Sequence, residues 1–285
     1  MAEASRAVLI TGCSSGIGRA TALRLAGAGW TVYATARRPE TLAELERAGC
    51  RTLALDVTDE DSMRAAVETV EQAEGAVGVL VNNAGYSQSG AVETVPMESV
   101  RRQFETNVFG VVRLTQLVLP AMRAQRWGKI VNLSSMGGRL TFPGGGYYHA
   151  TKYALEALSD ALRFEVAGFG IDVVLIEPGL IVTEFGEAAA GSLTDVPVGT
   201  QDEDPYATFN AAVGALTKGA YESPMRHLGA GPDRVAKAIE RAIGARRAPS
   251  RVTVTPSAKL SIATRRLLPD RLWDAAMRAQ FPRPG

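Results

Sequence analysis

"AVLITGCSSGIG", residues 7–18, sets a short apolar run directly against a glycine-rich turn and then a helical pattern. "AVLIT" reads as a buried strand, and a helix is expected from Ile17 to Ala28. Gly12, Gly16 and Gly18 are spaced G-x-x-x-G-x-G rather than the commoner G-x-G-x-x-G. The physical logic is the same for both spacings: glycines let the backbone approach a pyrophosphate, and the helix N-terminus favours its charge. Gly12, Ser14, Ser15, Gly16, Ile17 and Gly18 are therefore candidate dinucleotide-binding residues. A tight strand–helix turn also needs glycine for its own sake, so the rest of the chain must decide.

The strand–helix rhythm repeats. Strands are expected at 31–36, 52–56, 77–83, 128–135 and 171–178. Helices are expected at Pro39–Ala48, Asp59–Glu74, Met97–Arg126 and Tyr148–Phe169. Such alternation predicts an α/β fold: one doubly wound parallel sheet of Rossmann type, about seven strands, with helices on both faces. No Pro/Gly-rich linker divides residues 1–285, so one domain is expected. Residues 184–230 break the rhythm with glycine, proline and acidic clusters. Following the C-terminal end of a strand, they read as a substrate lid or as a disordered surface insertion. The pattern resumes near Asp233–Gly244 and 251–255, and residues 257–285 read as a helical C-terminal extension.

Composition excludes several classes. Of 285 residues, 46% are hydrophobic and 21% charged, and the net charge is +1. That balance offers no global field for nucleic acid or anionic lipid. No charged leader precedes a long apolar run, and no stretch has the ~20 apolar residues that span a bilayer. A cytoplasmic protein is expected, with peripheral membrane contact only through the arginine- and leucine-bearing tail. Cys13 and Cys50 lack metal-ligand spacing, and His149 and His227 make no metal site, so no metal is expected.

The second strand ends "ATARR". An NAD site usually places a carboxylate there for the ribose 2′-hydroxyl. Here Ala36 takes that position and Arg37 follows, which suits a 2′-phosphate: NADP(H) is preferred over NAD(H). The alternative is that Arg37 and Arg38 are merely solvated.

Read together, "TGCSSGIG", "NNAG" (82–85), Asn107 in "NVFG", "NLSS" (132–135), "YHATK" (148–152) and "PG" (178–179) resemble the short-chain dehydrogenase/reductase family. The match runs in order from about residue 5 to 183, and the branch it resembles most contains 17β-hydroxysteroid and retinol dehydrogenases. The resemblance implies hydride transfer between a nicotinamide and a carbonyl or alcohol. The chemistry asks for a proton donor at the carbonyl oxygen. A tyrosine with pKa about 10 is a poor base near neutrality unless a cation stabilises its phenolate. Tyr148 and Lys152 are four apart and share a helix face, whereas Tyr147 and Tyr153 do not meet Lys152 there. The resemblance implies Tyr148 as acid/base and Lys152 as its activator and ribose ligand. It also implies Ser135 (better spaced than Ser134) as the carbonyl-polarising hydroxyl, and Asn107 as the holder of a relay water. It further places Asn83, Ala84 and Gly85 by the adenine-side ribose, Asp56 and Val57 by the adenine, and Pro178, Gly179 and Thr183 by the nicotinamide carboxamide. Asp56 reads equally as a strand-end cap, and His149 as a spacer or pocket wall. Composition and branch favour an apolar carbonyl such as a steroid, retinoid or lipid-like molecule. A ketoacyl-thioester reductase and a non-catalytic dinucleotide-binding regulator are the alternatives. Family members commonly form dimers or tetramers through the helices near 97–125 and 148–169, so a homo-oligomer is implied.

Overall fold

Seven strands, each followed by helical chain, build one parallel sheet in the order β3-β2-β1-β4-β5-β6-β7. The computed structural model describes residues 4–195, 204–222 and 229–284. In chain order the elements are β1 (Val8–Ile10), α1 (Gly16–Gly27), β2 (Val32–Ala36), α2 (Ala43–Arg47), β3 (Arg51–Ala54), α3 (Glu60–Glu74) and β4 (Val79–Asn82). There follow α4 (Met97–Phe104), α5 (Gly110–Gln125), β5 (Gly128–Leu133), α6 (Gly146–Val166) and β6 (Ile171–Glu177). The chain ends with α7 (Glu184–Gly191), α8 (Ala207–Glu222), α9 (Pro232–Gly244), β7 (Arg251–Thr253), α10 (Pro256–Leu267) and α11 (Asp270–Gln280).

Strand alternation divides the core into two layers. Val8 and Ile10 point to one face, where Leu25 of α1 and Val235 and Ile239 of α9 cover them. Leu9 points to the other and packs with Val67 of α3, Leu114 and Val118 of α5, and Ile130 and Val173. Both faces of the sheet are thus buried, as the near-continuous apolar strands require. Local chemistry sets several helix starts. Asp59 caps α3 by accepting from the amides of Asp61 and Ser62, and Thr255 caps α10 by accepting from Ala258.

Three sequence expectations change. The helix expected at Pro39–Ala48 starts as a 3-10 turn, Pro39–Leu42, before α2. The single helix expected over Met97–Arg126 is interrupted by a π-turn, Glu105–Phe109, between α4 and α5. Residues 184–230 include two helices, α7 and α8, rather than irregular chain alone; the acidic centre of that segment and His227 lie outside the described residues. The strand order reverses at β1, between β2 and β4, and at such a switch point the carboxyl ends of the strands open a crevice.

Candidate active site

A cleft of about 1210 Å³ lies along those strand ends. Its floor begins with the turn after β1. Gly12 and Gly16 adopt positive φ, 71° and 55°. Gly18 has no room for a side chain: a Cβ would sit 2.3 Å from the Gly12 carbonyl oxygen and 2.5 Å from Asn83 Nδ2. α1 starts at Ser15 without a side-chain cap and without an acidic residue in its first turn. Its N-terminus is therefore open to an anion. Gly12, Ser14, Ser15, Gly16 and Ile17 line the cleft. The turn is held from across the sheet: the Asn83 carboxamide donates to the carbonyls of Thr11 (2.8 Å) and Gly12 (3.0 Å). Thr11 Oγ1 accepts from the amides of Asn83 and Ala84.

Arg37, exposed at the end of β2, lines the same cleft, as do Asp56, Val57, Ala84 and Gly85. Asp56 Oδ1 accepts from the amide and hydroxyl of Thr58, so this carboxylate holds its own turn as well as facing the cleft. At the other wall, the Pro178 carbonyl accepts from Met136 N at 2.8 Å, and Gly179 N donates to Thr255 Oγ1 at 3.2 Å. Thr183 lies directly opposite the glycine turn, within 3.6 Å of where a Gly16 Cβ would be. An uncapped helix start open to a phosphate, glycines at Gly12 and Gly18 with no space for Cβ and an adjacent guanidinium together fit a dinucleotide.

α6 brings the reactive side chains to the middle of the cleft. Lys152 Nζ lies 5.7 Å from the centroid of the Tyr148 ring and donates to the Leu133 carbonyl at 2.6 Å. Only 7% of Lys152 is exposed. Burial pushes its ammonium down to about 8, against the opposing pull of the Glu156 carboxylate. An ammonium near its own pKa beside a phenol is an arrangement suited to proton exchange. Asn107 sits in the π-turn, the type of helix irregularity often found at functional sites. Its carboxamide donates to the Tyr86 carbonyl (2.9 Å) and to Thr151 Oγ1 (3.2 Å), and accepts from Tyr86 N (3.1 Å). Gly85 separates it from Lys152: a Cβ there would lie 3.0 Å from Asn107 Oδ1 and 3.9 Å from Lys152 Nζ.

The two serines follow β5, which ends at Leu133, before both, and they have different partners. Ser135 Oγ accepts from Gly137 N at 3.0 Å, which leaves its O–H to donate to a ligand. Ser134 donates instead to Glu156 Oε1 at 2.5 Å. Tyr147 turns away, its hydroxyl on the Val92 carbonyl and its ring against Val95 and Val100.

Sequence reasoning missed a polar cluster beneath this centre. Glu156 and Glu177, both almost fully buried, face Arg139 and Arg251, with Asp160 at the rim. Burial pushes the Glu156 carboxyl up, with Ser134 opposing it and Glu177 adding to it. Counting Lys152, and Arg163 on Asp160, four basic groups meet three carboxylates. Only the fold brings these residues together, so no spacing signal could have revealed them. Cys13 and Cys50 are both buried free thiols, and burial pushes Cys13 up to about 12.

Comparison with known proteins shows the family. The short chain dehydrogenase family model matches residues 6–191. A 3-ketodihydrosphingosine reductase of Bacteroides thetaiotaomicron is 37% identical over 274 residues, covering 95% of this chain and 96% of its own. An NADPH-dependent 3-dehydrocapnine reductase of Ornithobacterium rhinotracheale is 36% identical, covering 94% of this chain and 95% of its own. The crystal structure of a short-chain dehydrogenase from Streptomyces avermitilis superposes with a TM-score of 0.79 at 36% identity, over 98% of this chain and 99% of that one. With its parallel seven-stranded sheet, glycine turn and ordered motifs, this chain belongs to the short-chain dehydrogenase/reductase family and is an NAD(P)-dependent oxidoreductase.

Proposed function

We propose that this enzyme is an NADP(H)-preferring reductase of apolar, lipid-like carbonyl compounds, interconverting them with the alcohols. The observation that carries the reading is the convergence of Tyr148, Lys152 and Ser135 on the cleft that the glycine turn also lines. Bound nicotinamide supplies the hydride. Tyr148 gives the proton to the carbonyl oxygen, and the Lys152 ammonium favours the phenolate left behind. Ser135, its oxygen already engaged by Gly137 N, donates its hydroxyl proton to the same oxygen and stabilises developing alkoxide charge. Asn107 is fixed by Tyr86 and Thr151 within reach of the lysine pocket, where it would orient a water toward Lys152. Gly12, Ser14, Ser15, Gly16, Ile17 and Gly18 would hold the pyrophosphate, and Asn83, Ala84 and Gly85 the adenine-side ribose. Asp56 and Val57 would flank the adenine, and Pro178, Gly179 and Thr183 the carboxamide.

The described parts of segment 184–230, α7 and α8 among them, act in this reading as a lid. Phe185, its second residue, meets the Tyr148 ring at 5.7 Å. Further on, Ser192 closes onto the opposite wall: its carbonyl accepts from Gln88 Nε2 at 2.8 Å and its hydroxyl from Ser89 N at 2.9 Å. The segment thus bridges the cleft from the glycine turn to the loop after β4. The two relatives named as reductases of 3-ketodihydrosphingosine and of 3-dehydrocapnine support a lipid-like ketone. Assembly into a dimer or tetramer belongs to the same proposal, supported by exposed Phe109 and Phe164 beside α5 and on α6.

NADP(H) preference is supported by Ala36 in place of a carboxylate and by Arg37 at the cleft edge. Arg37→Ala should raise the KM for NADPH about 10- to 100-fold, the worth of a charge-assisted hydrogen bond, and leave that for NADH nearly unchanged. Equal changes would remove the assignment. The substrate class is tested by following cofactor oxidation against long-chain ketones, steroids, retinoids, short ketones and acyl thioesters, each with NADPH and NADH. Turnover confined to acyl thioesters or short ketones would overturn the lipid-like reading.

A further inference from the structure

We propose that His149 is a positioning residue that clips segment 137–145 to the catalytic helix and so sets the substrate side of the cleft. The clip has two hydrogen bonds of opposite sense. His149 Nδ1 lies 2.9 Å from the Gly137 carbonyl oxygen, and Phe142 N donates to His149 Nε2 at 3.2 Å. A carbonyl only accepts and a backbone amide only donates, so the proton sits on Nδ1 and the lone pair on Nε2. The slot is cut to this ring: a Cβ on Gly137 would lie 2.6 Å from Nδ1, and one on Gly145 would lie 3.0 Å from Nε2.

Both ends of the clip reach the reaction site assigned under Proposed function, on which this inference rests. Gly137 is the residue whose amide orients Ser135 Oγ. Phe142 lines the cleft, packs edge-on against the His149 ring at 6.0 Å and meets Trp273 of α11 at 6.2 Å. Gly144 is pressed against Val213 of α8, where a Cβ would fall 2.4 Å from Cγ2. One imidazole therefore ties α6 to a loop that both the lid helix α8 and the C-terminal helix α11 touch. An apolar residue in its place would leave a buried amide and a carbonyl without partners.

The clip has an acid limit. Burial pushes His149 below the ordinary histidine value, with the Gly137 carbonyl opposing. The ionisable side chains on the elements about it include Tyr148, at 5.8 Å between rings, Lys152 and Glu156 on the same helix, and Arg139, which Glu177 engages at 3.1 Å. Protonation would turn Nε2 into a donor facing the Phe142 donor, and the loop would loosen as pH falls through that depressed pKa.

The test uses the 285-residue chain, which contains two histidines, His149 and His227. In histidine-labelled protein, NMR should show one imidazole as the Nδ1–H tautomer, titrating below the ordinary histidine value of about 6.5 and absent from His149→Gln. Hydrogen exchange of the 137–145 peptide should be faster in His149→Ala than in His149→Gln, whose amide keeps one donor and one acceptor. With a substrate from the carbonyl screen, His149→Ala should raise the carbonyl KM roughly tenfold, the worth of a lost hydrogen-bond pair. The KM for NADPH should not move, and His149→Gln should restore the carbonyl KM and abolish its rise in acid. A His149 that titrates at or above the ordinary histidine value of about 6.5, equal exchange in the two variants, or an acid rise persisting in His149→Gln would overturn the proposal. Should the screen find no carbonyl substrate, the exchange and titration results still decide the clip, while the proposed function alone would fail.

Discussion

Tyr148→Phe is expected to slow carbonyl reduction by about 10²–10⁴-fold, the range for losing a general acid, while dinucleotide binding is retained. The substitution removes one oxygen and keeps the ring. The ring makes the packing contacts, with Phe185 at 5.7 Å, His149 at 5.8 Å and Lys152 Nζ at 5.7 Å. The fold and the cleft wall should therefore survive. No neighbouring tyrosine can take over. The Tyr147 hydroxyl is spent on the Val92 carbonyl, and Tyr153 is 45% exposed on another face of α6. Single-turnover oxidation of NADPH reads the chemical step, and a fluorescence titration reads cofactor affinity. Unchanged turnover would take Tyr148 out of the proton transfer, whatever the substrate. Loss of cofactor affinity together with rate would point to a binding role instead.

That prediction could be framed from the sequence because its geometry is local. A tyrosine and a lysine four apart on a helix must share a face, and a glycine-rich turn after an apolar run must be a tight strand–helix junction. The sheet was legible for a similar reason: strands buried on both faces are written as nearly uninterrupted apolar runs. The π-turn was not, because the apolar spacing on either side of Glu105–Phe109 stays compatible with one long helix. The extra residue is seen only in what it does, which is to bring Asn107 against Tyr86 and Thr151. The helices α7 and α8 were hidden by glycine, proline and acidic residues that lie between them. The cluster of Glu156, Glu177, Arg139 and Arg251 draws on α6, on the ends of β6 and β7 and on the loop after β5, and no single stretch contains enough of it to be read. In the sequence His149 reads only as a spacer or pocket wall, because its two partners, Gly137 and Phe142, contribute backbone atoms, which carry no side-chain signature.

Lys152→Met should abolish turnover and at the same time reveal what the buried ammonium costs the fold. A lysine has an ordinary pKa of about 10.4 in the unfolded chain. In the folded enzyme burial brings Lys152 to about 8. Below pH 8 both states carry the proton, and the folded state bears the full cost of an ion only 7% exposed. Between the two pKa values the unfolded chain binds one more proton at this site, so stability rises with pH across that window, by about 3 kcal/mol in all. Cys13 works in the opposite direction. Burial holds its thiol protonated up to about 12, so it loses stability for the fold once the unfolded thiol ionises. Because Cys13 is present in both proteins, the difference between wild type and Lys152→Met isolates the lysine. Losing the hydrogen bond to the Leu133 carbonyl adds an offset that does not follow the lysine's titration. Urea unfolding of the cofactor-free enzymes at about pH 7 and about pH 10 should show the variant's relative stability falling by about 3 kcal/mol as pH rises. A difference that stays constant with pH would mean that Lys152 is not a strained charge. A difference that follows this course in an inactive variant would identify Lys152 as a group whose burial the fold tolerates for the sake of Tyr148, since an apolar side chain of similar length would otherwise serve the packing better at neutral pH.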